Sequence, residues 1–226
     1  MPRQSLSPRL IVDAAVAIAG RPGASVLSGR ALGDELGVDR SAVWRHFPDQ
    51  DALLRAVGDR LLELALAAVP DGLDPEVRMR ALARSVVATF VAHPQVGALI
   101  AGRTTQGRGE LAMVEFTLCA LREAGVPHDQ VGRHQRVLAD TILSYAGMRA
   151  GRALLSDDLR RRDQQAWVGT YATASAESYP AIADHVQELA AVTDDDVLES
   201  LLTALAVGVR AVADQPPARS DDRGAR

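Results

Sequence analysis

Apolar residues recur along this chain at helical spacing and almost nowhere at the alternating spacing of a strand. Ile11, Ala14, Ala15 and Ile18 share one face of a helix that Ser7-Pro8 caps and starts, and Gly20 to Gly23 end it. Ala31, Leu32 and Leu36 mark a short helix capped by Ser28. Gly37 supplies the turn, Val38 fills the corner, and Asp39 caps a second short helix with Val43 and Phe47 inward. Pro48-Asp49 then opens a long helix carrying Leu53, Leu54, Val57, Leu61 and Leu64, which closes at Val69-Pro70-Asp71-Gly72.

Further on, helices are predicted from Asp74-Pro75 to His93, from Pro94 to near Gly102, and from about Glu110 to Ala124 before Gly125. Others follow over about 129–155, 158–176 and 180–191, and a last one runs from the cap Thr193-Asp194-Asp195-Asp196 to near Ala213. The tail past Pro216-Pro217 is polar and expected to be disordered. The expected organisation is all-α: a small helical unit over 1–48, a larger helical unit over 49–214, and the tail 215–226.

The 226 residues, 47% of them hydrophobic, suffice for a small unit and a larger one with its own core. Aromatics are only 4%, which favours helix over sheet. No apolar run is long enough to span a bilayer, no secretory leader is legible, and the single Cys119 excludes an intrachain disulfide. A cytoplasmic protein without a membrane partner is expected. The net charge of −4 argues against a nucleic-acid partner at first sight, and every one of the 25 basic residues is Arg. A local cluster outweighs distant charge, however, because screening at physiological salt acts over about 8 Å.

Such a cluster lies on the outer side of the helix after Gly37. Arg40, Ser41, Trp44 and Arg45 offer guanidinium forks, a hydroxyl and an indole N–H, donors suited to base edges and phosphates. Two short helices hinged at a glycine are the outline of a helix-turn-helix. Trp44 either joins this face or packs into the small core.

Residues 7–64 resemble the DNA-binding domain of the tetracycline-repressor (TetR) family of bacterial regulators. The likeness is carried by Ile11, Ala14-Ala15, Leu32, Leu36-Gly37-Val38, Val43-Trp44, His46-Phe47-Pro48, Asp51 and Leu53. Departures from the family pattern are Trp44 for Tyr, Ser41-Ala42 for Gly-Thr, and Gln50 for a phosphate-touching Lys. The resemblance implies that Arg40, Ser41, Trp44 and Arg45 face a DNA groove while Ser28, Arg30, His46 and Gln50 approach phosphate. It also implies a double-stranded DNA operator, a homodimer, and a small-molecule effector held in the C-terminal bundle, whose binding swings the fourth helix. Ser178-Tyr179-Pro180-Ala181 and the closing Leu-rich helix resemble the C-terminal domain of the same repressors.

Candidate lining residues for that cavity are Glu115, Asp140, Ser144 and Tyr145, with Trp167 and Tyr171 available to stack on a flat ligand. Thr117 and Thr141 are further polar groups in apolar surroundings. Ile100 stands where tetracycline repressors carry a metal-ligating His, which argues against tetracycline itself. Two helices offer faces to a partner: Leu198, Leu201, Leu202, Leu205, Val209 and Val212 on the last, and Ala139, Leu143, Gly147, Ala150, Gly151 and Leu154 on the 129–155 helix. Packing within the chain is the competing use of both.

No catalytic constellation is legible, and no cofactor or metal site is expected. The five histidines lack metal-ligand spacing, no glycine loop cradles phosphate, and Cys119 reads as a buried small hydrophobe. The expected function is a DNA-binding transcriptional regulator, most simply a repressor released by its ligand. The alternative is a helical small-molecule-binding or adaptor protein that kept the fold without reading DNA, motivated by a nearly neutral head and by Gln50.

Overall fold

The computed structural model describes residues 6–21 and 28–214. Among these the chain is helical, in the order α1 Pro8–Ala19, α2 Gly29–Leu36, α3 Arg40–Val43, α4 Gln50–Ala67, α5 Pro75–Ala92 and α6 Pro94–Ile100. Then come α7 Arg108–Glu123, α8 Val131–Ala153, α9 Asp157–Ala172, α10 Pro180–Ala191 and α11 Asp194–Ala213. The tail 215–226, and Gly23 at the expected end of the first helix, lie outside the described residues.

Local chemistry sets most of the helix starts. Ser7, Ser28, Asp39, Asp49 and Ser156 each accept a backbone N–H of the helix they precede. Thr193 and Asp196 form a reciprocal capping box on α11. Gly37 closes α2 at φ 64°, a left-handed conformation that a Cβ would penalise.

A continuous core joins the head to the body. Ile11, Ala15, Leu32 and Val43 are buried together with Leu53, Val57, Leu61, Val86, Phe90, Val96 and Ile100. The long helix α4 is the shared wall, with α1 on one side and α5, α6 and α7 on the other. Its contact with α6 is tight: a Cβ at Gly58 would sit 2.4 Å from Ile100 Cγ1. Ile100, the residue at the expected metal-ligand position, is therefore a packing residue against α4. A smaller cluster of Leu121, Val126, Val131 and Val209 closes the far end of the body.

The two faces expected to meet a partner are largely spent inside the chain. Leu198, Leu202 and Val209 of α11 are buried, and Leu201, Leu205 and Val212 are half-buried against the two clusters. Gly147 of α8 lets α6 approach, since a Cβ there would lie 2.4 Å from the Ala101 Cβ. What α11 leaves outside is a different strip, Val197, Ser200, Ala204, Val207, Gly208 and Ala211. Helices α9 and α10 pack on each other and bury no residue.

Candidate nucleic-acid interface and cavity

The helix after the glycine corner is shorter than its apolar spacing suggests. α3 stops at Val43, and the chain continues to Phe47 through tight turns, with Arg45 and His46 N–H donating to the carbonyls of Ala42 and Val43. Pro48 keeps the helix from resuming, because it disfavours helical backbone at Phe47 and has no N–H to donate to the Trp44 carbonyl. Val43 and Phe47 are nonetheless buried as their spacing requires. The corner is tight from the other side too: a Cβ at Gly33 would sit 2.8 Å from the Val38 carbonyl.

Of the residues predicted to meet DNA, Arg30, Arg40, Ser41, Arg45, His46 and Gln50 are exposed, and Ser28 is half-buried because its hydroxyl caps α2 at 3.0 Å from Ala31 N. Trp44 packs into the small core, the second of the two uses expected for it. It is half-buried, with its indole Nε1 against the start of α2, where a Gly29 Cβ would come within 2.5 Å. Arg30, Arg40 and Arg45 have no hydrogen-bond or ion-pair partner among the described residues. The Asp39 carboxyl at the base of α3 is held below its usual range, first by hydrogen bonds from Ser41 and then by the charges of Arg40 and Arg45.

Behind the head, a cavity of about 690 Å³ opens between α4, α5, α7, α8 and α11. Asp140 and Ser144 line it, as do Thr117 and Gln135, while Glu115, Tyr145, Trp167 and Tyr171 are not among its lining residues. Glu115 is exposed on α7, where it accepts from the Cys119 thiol at 3.5 Å. Cys119 is thus half-buried rather than buried, and its pKa is pushed up by that hydrogen bond and by desolvation, the opposite of an activated thiolate. Tyr145 donates to the Asp194 carbonyl at 2.7 Å and ties α8 to the start of α11. Trp167 and Tyr171 stack edge to face on α9, with centroids 4.8 Å apart.

Sequence reasoning missed the residues that join the cavity to the head. Arg103, in the cavity wall, pairs with Asp51 of α4 at 2.5 Å, and Asp51 also receives Arg55. The Asp51 carboxyl is pulled below its usual range by Arg103 first, although desolvation opposes this, and by Arg55. Two turns further along α4, buried Asp59 accepts from Thr105 Oγ1 at 2.7 Å, Gly109 N at 3.0 Å and Glu110 N at 2.9 Å. A carboxylate on one helix therefore caps the N-terminus of another. Glu110 in turn accepts from Thr104 and from the N–H groups of Thr105 and Gln106. The available signal was Asp59 itself, one acid on the apolar face of α4. Among the described residues no group of His, Cys, Asp and Glu is arranged to hold a metal, and no helix is long and apolar enough to cross a membrane.

The arrangement is a three-helix unit braced against a helical body that holds an open cavity. Two family models match the chain: bacterial regulatory proteins of the tetR family over residues 11–57, and the tetracyclin repressor-like C-terminal domain over residues 70–213. The chain belongs to the TetR family of bacterial regulatory proteins. Among solved structures, a candidate transcriptional regulator from Streptomyces coelicolor A3(2) is 28% identical at TM-score 0.75, covering 92% of this chain and 98% of that one. Apo ActR from Streptomyces coelicolor superposes at TM-score 0.78 with 21% identity, over 93% of this chain and 97% of its own. ActR in complex with actinorhodin gives 0.77 with 21% identity, over 93% and 98%. These two share the fold. No curated protein sequence matched the chain.

Proposed function

We propose that this protein is a transcriptional repressor that binds a palindromic operator as a homodimer and releases it when a small molecule fills the cavity. The observation that carries the reading is electrostatic. Arg9, Arg21, Arg55 and Arg60 of the head are each paired with a carboxylate, whereas Arg30, Arg40 and Arg45 beside α3 are exposed and unpaired among the described residues. Arg40 and Arg45 act on the nearby Asp39 carboxyl only at a distance and form no ion pair with it, which leaves their guanidinium groups able to meet a polyanion. In this reading Arg40, Ser41 and Arg45 meet base edges beside the indole edge of Trp44, and Ser28, Arg30, His46 and Gln50 meet phosphate.

One short reading helix gives little affinity, and a second copy about one DNA turn away, roughly 34–36 Å, supplies the rest. The exposed strip on α11, with Val207 52% exposed, and the half-exposed Val137 and Met148 of α8 are the surface a second copy would cover. ActR is a family member solved with a bound small molecule, actinorhodin, which supports reading the cavity here as an effector site. A regulator of this kind works in the cytoplasm and catalyses nothing.

Selection of random duplexes by the purified protein, followed by sequencing, tests the proposal. A palindromic motif is expected. Absence of enrichment at low salt overturns the reading in favour of a ligand-binding or adaptor protein.

A further inference from the structure

The cavity has an unusual wall for a site expected to hold a flat ligand: among the described residues no aromatic side chain lines it. Its apolar surface is aliphatic and thioether, with Leu62, Met79, Val86, Met113, Leu138 and Leu202 among the contributors. Such a wall suits a flexible aliphatic chain, and the two methionines adapt to its shape.

The charged lining residues differ in what they are free to do. Glu76 is held by Arg80 and Arg210, Glu110 by three neighbouring donors, and Asp140 by Arg136, so none of the acids asks for a cation. Arg80 is shared among Glu76, Glu199 and Thr203. The Arg136 side chain is 77% exposed, where water screens it. The Arg103 side chain has a single ion-pair partner among the described residues, Asp51, and that carboxylate holds a second guanidinium from Arg55. If Arg103 turns to a ligand anion, Asp51 keeps Arg55 and Arg103 gains a carboxylate. The bridge is solvent-accessible, with the Arg103 and Asp51 side chains 36% and 40% exposed, so exchanging it costs little, and no charge is left unpaired.

We propose that the cavity binds an aliphatic carboxylic acid whose carboxylate takes Arg103 from Asp51. This deepens the effector reading above and rests on it for its consequence, since Asp51 lies in the first turn of α4, beside the reading head. Loss of the Arg103–Asp51 bridge removes one tie between the first turn of α4 and the segment after α6, while the clasp at Asp59 still holds α4 to α7. The same competition works in reverse: whatever fixes α4 in the bridged position weakens the acid.

The test is calorimetric titration of the full-length protein with decanoate, decanol and decylamine. Decanoate is expected to bind at least about tenfold more tightly than decanol, the worth of one charge-assisted contact. Arg103→Gln is expected to erase that preference while leaving decanol binding as it was, which also shows the cavity intact. Asp51→Asn removes the internal competitor, so decanoate should tighten by roughly fivefold or more with decanol unchanged. If Arg103→Gln damages folding and loses decanol as well, Asp51→Asn alone decides: tightening supports the exchange and no change overturns it. Equal or better binding of decanol or decylamine, or no binding by all three, overturns the ligand class. None of these measurements uses DNA, so failure of the operator selection and failure of this inference are separately visible.

Discussion

Arg30, Arg40 and Arg45 around α3 form no ion pair among the described residues, while Arg80, Arg84, Arg149 and Arg210 of the body each end on a carboxylate. Both sets sit on helices at the surface of one acidic chain, so composition does not separate them. The difference is what each region uses charge for. In the body, Arg84 and Arg210 bridge to Glu199 and Glu76 and hold α11 along α5. Around α3 the acids lie at helix starts, where Asp39 caps α3 at 2.8 Å from Ser41 N and Asp49 caps α4 at 2.7 Å from Ala52 N. Pairing holds the body together, and its absence leaves the head available to an external polyanion. Substitutions should therefore separate stability from binding according to where they fall.

The largest effect on stability is expected at the joint between the two regions. Asp59→Ala removes the acceptor of three donors, two of them backbone N–H groups in or near the first turn of α7. A loss of about 3 kcal/mol in unfolding free energy by urea titration is expected, because hydrogen bonds to a buried carboxylate are strong and the stranded donors remain desolvated. A loss near zero would mean that head and body are not braced through this carboxylate.

The converse case is Arg40→Ala. Operator affinity should fall by about 1–3 kcal/mol if the side chain reads a base, measured by titration of the selected duplex at fixed salt. The urea midpoint should move little, since Arg40 makes no hydrogen bond or ion pair among the described residues and acts only weakly on the exposed Asp39 carboxylate. A shift in midpoint with unchanged affinity would invert the comparison.

Glu110 adds a pH axis to the joint. Desolvation acts to raise its pKa, but the hydrogen bonds from Thr104, Gln106 and Thr105 outweigh it and hold the carboxyl below its ordinary value. A group favoured as carboxylate in the folded state contributes stability above its unfolded pKa and loses it as pH falls through the folded value. The stability difference between wild type and Glu110→Gln should be constant near neutrality and shrink in acid, below about pH 4.5. A difference that grows in acid would refute the assignment.

These expectations also mark how far the sequence could be read. The head was legible because its signals are local: Ser28, Gly37, Asp39 and Pro48 act within a few residues of where they stand. The starts of α10 and α11 were legible for the same reason. The cavity was not, since a void between five helices is a property of packing. Asp140 and Ser144 line it, whereas Tyr145, one residue on, is turned toward α11 and bonds Asp194. Trp167 and Tyr171 suggested a stacking wall by residue type alone, and α9 carries them outside it. Asp59 was hidden inside an apolar heptad-like run, where its partners are some fifty residues away in sequence.

The smallest effects should come from helix caps, and here head and body differ again. Ser28→Ala and Ser156→Ala each delete one side-chain acceptor at a helix start, Ala31 N at 3.0 Å and Leu159 N at 3.2 Å. The intrinsic loss is about 1 kcal/mol in either case. α2 buries Leu32 and Gly33 in the shared core, so its cap is coupled to global unfolding and Ser28→Ala should lower the urea stability by that amount. α9 buries nothing and packs chiefly on α10, so Ser156→Ala should leave the global transition in place and appear only as faster amide exchange in the first turns of α9. If Ser156→Ala instead lowers global stability, and does so more at higher protein concentration, then α9 unfolds together with a second copy seated on it.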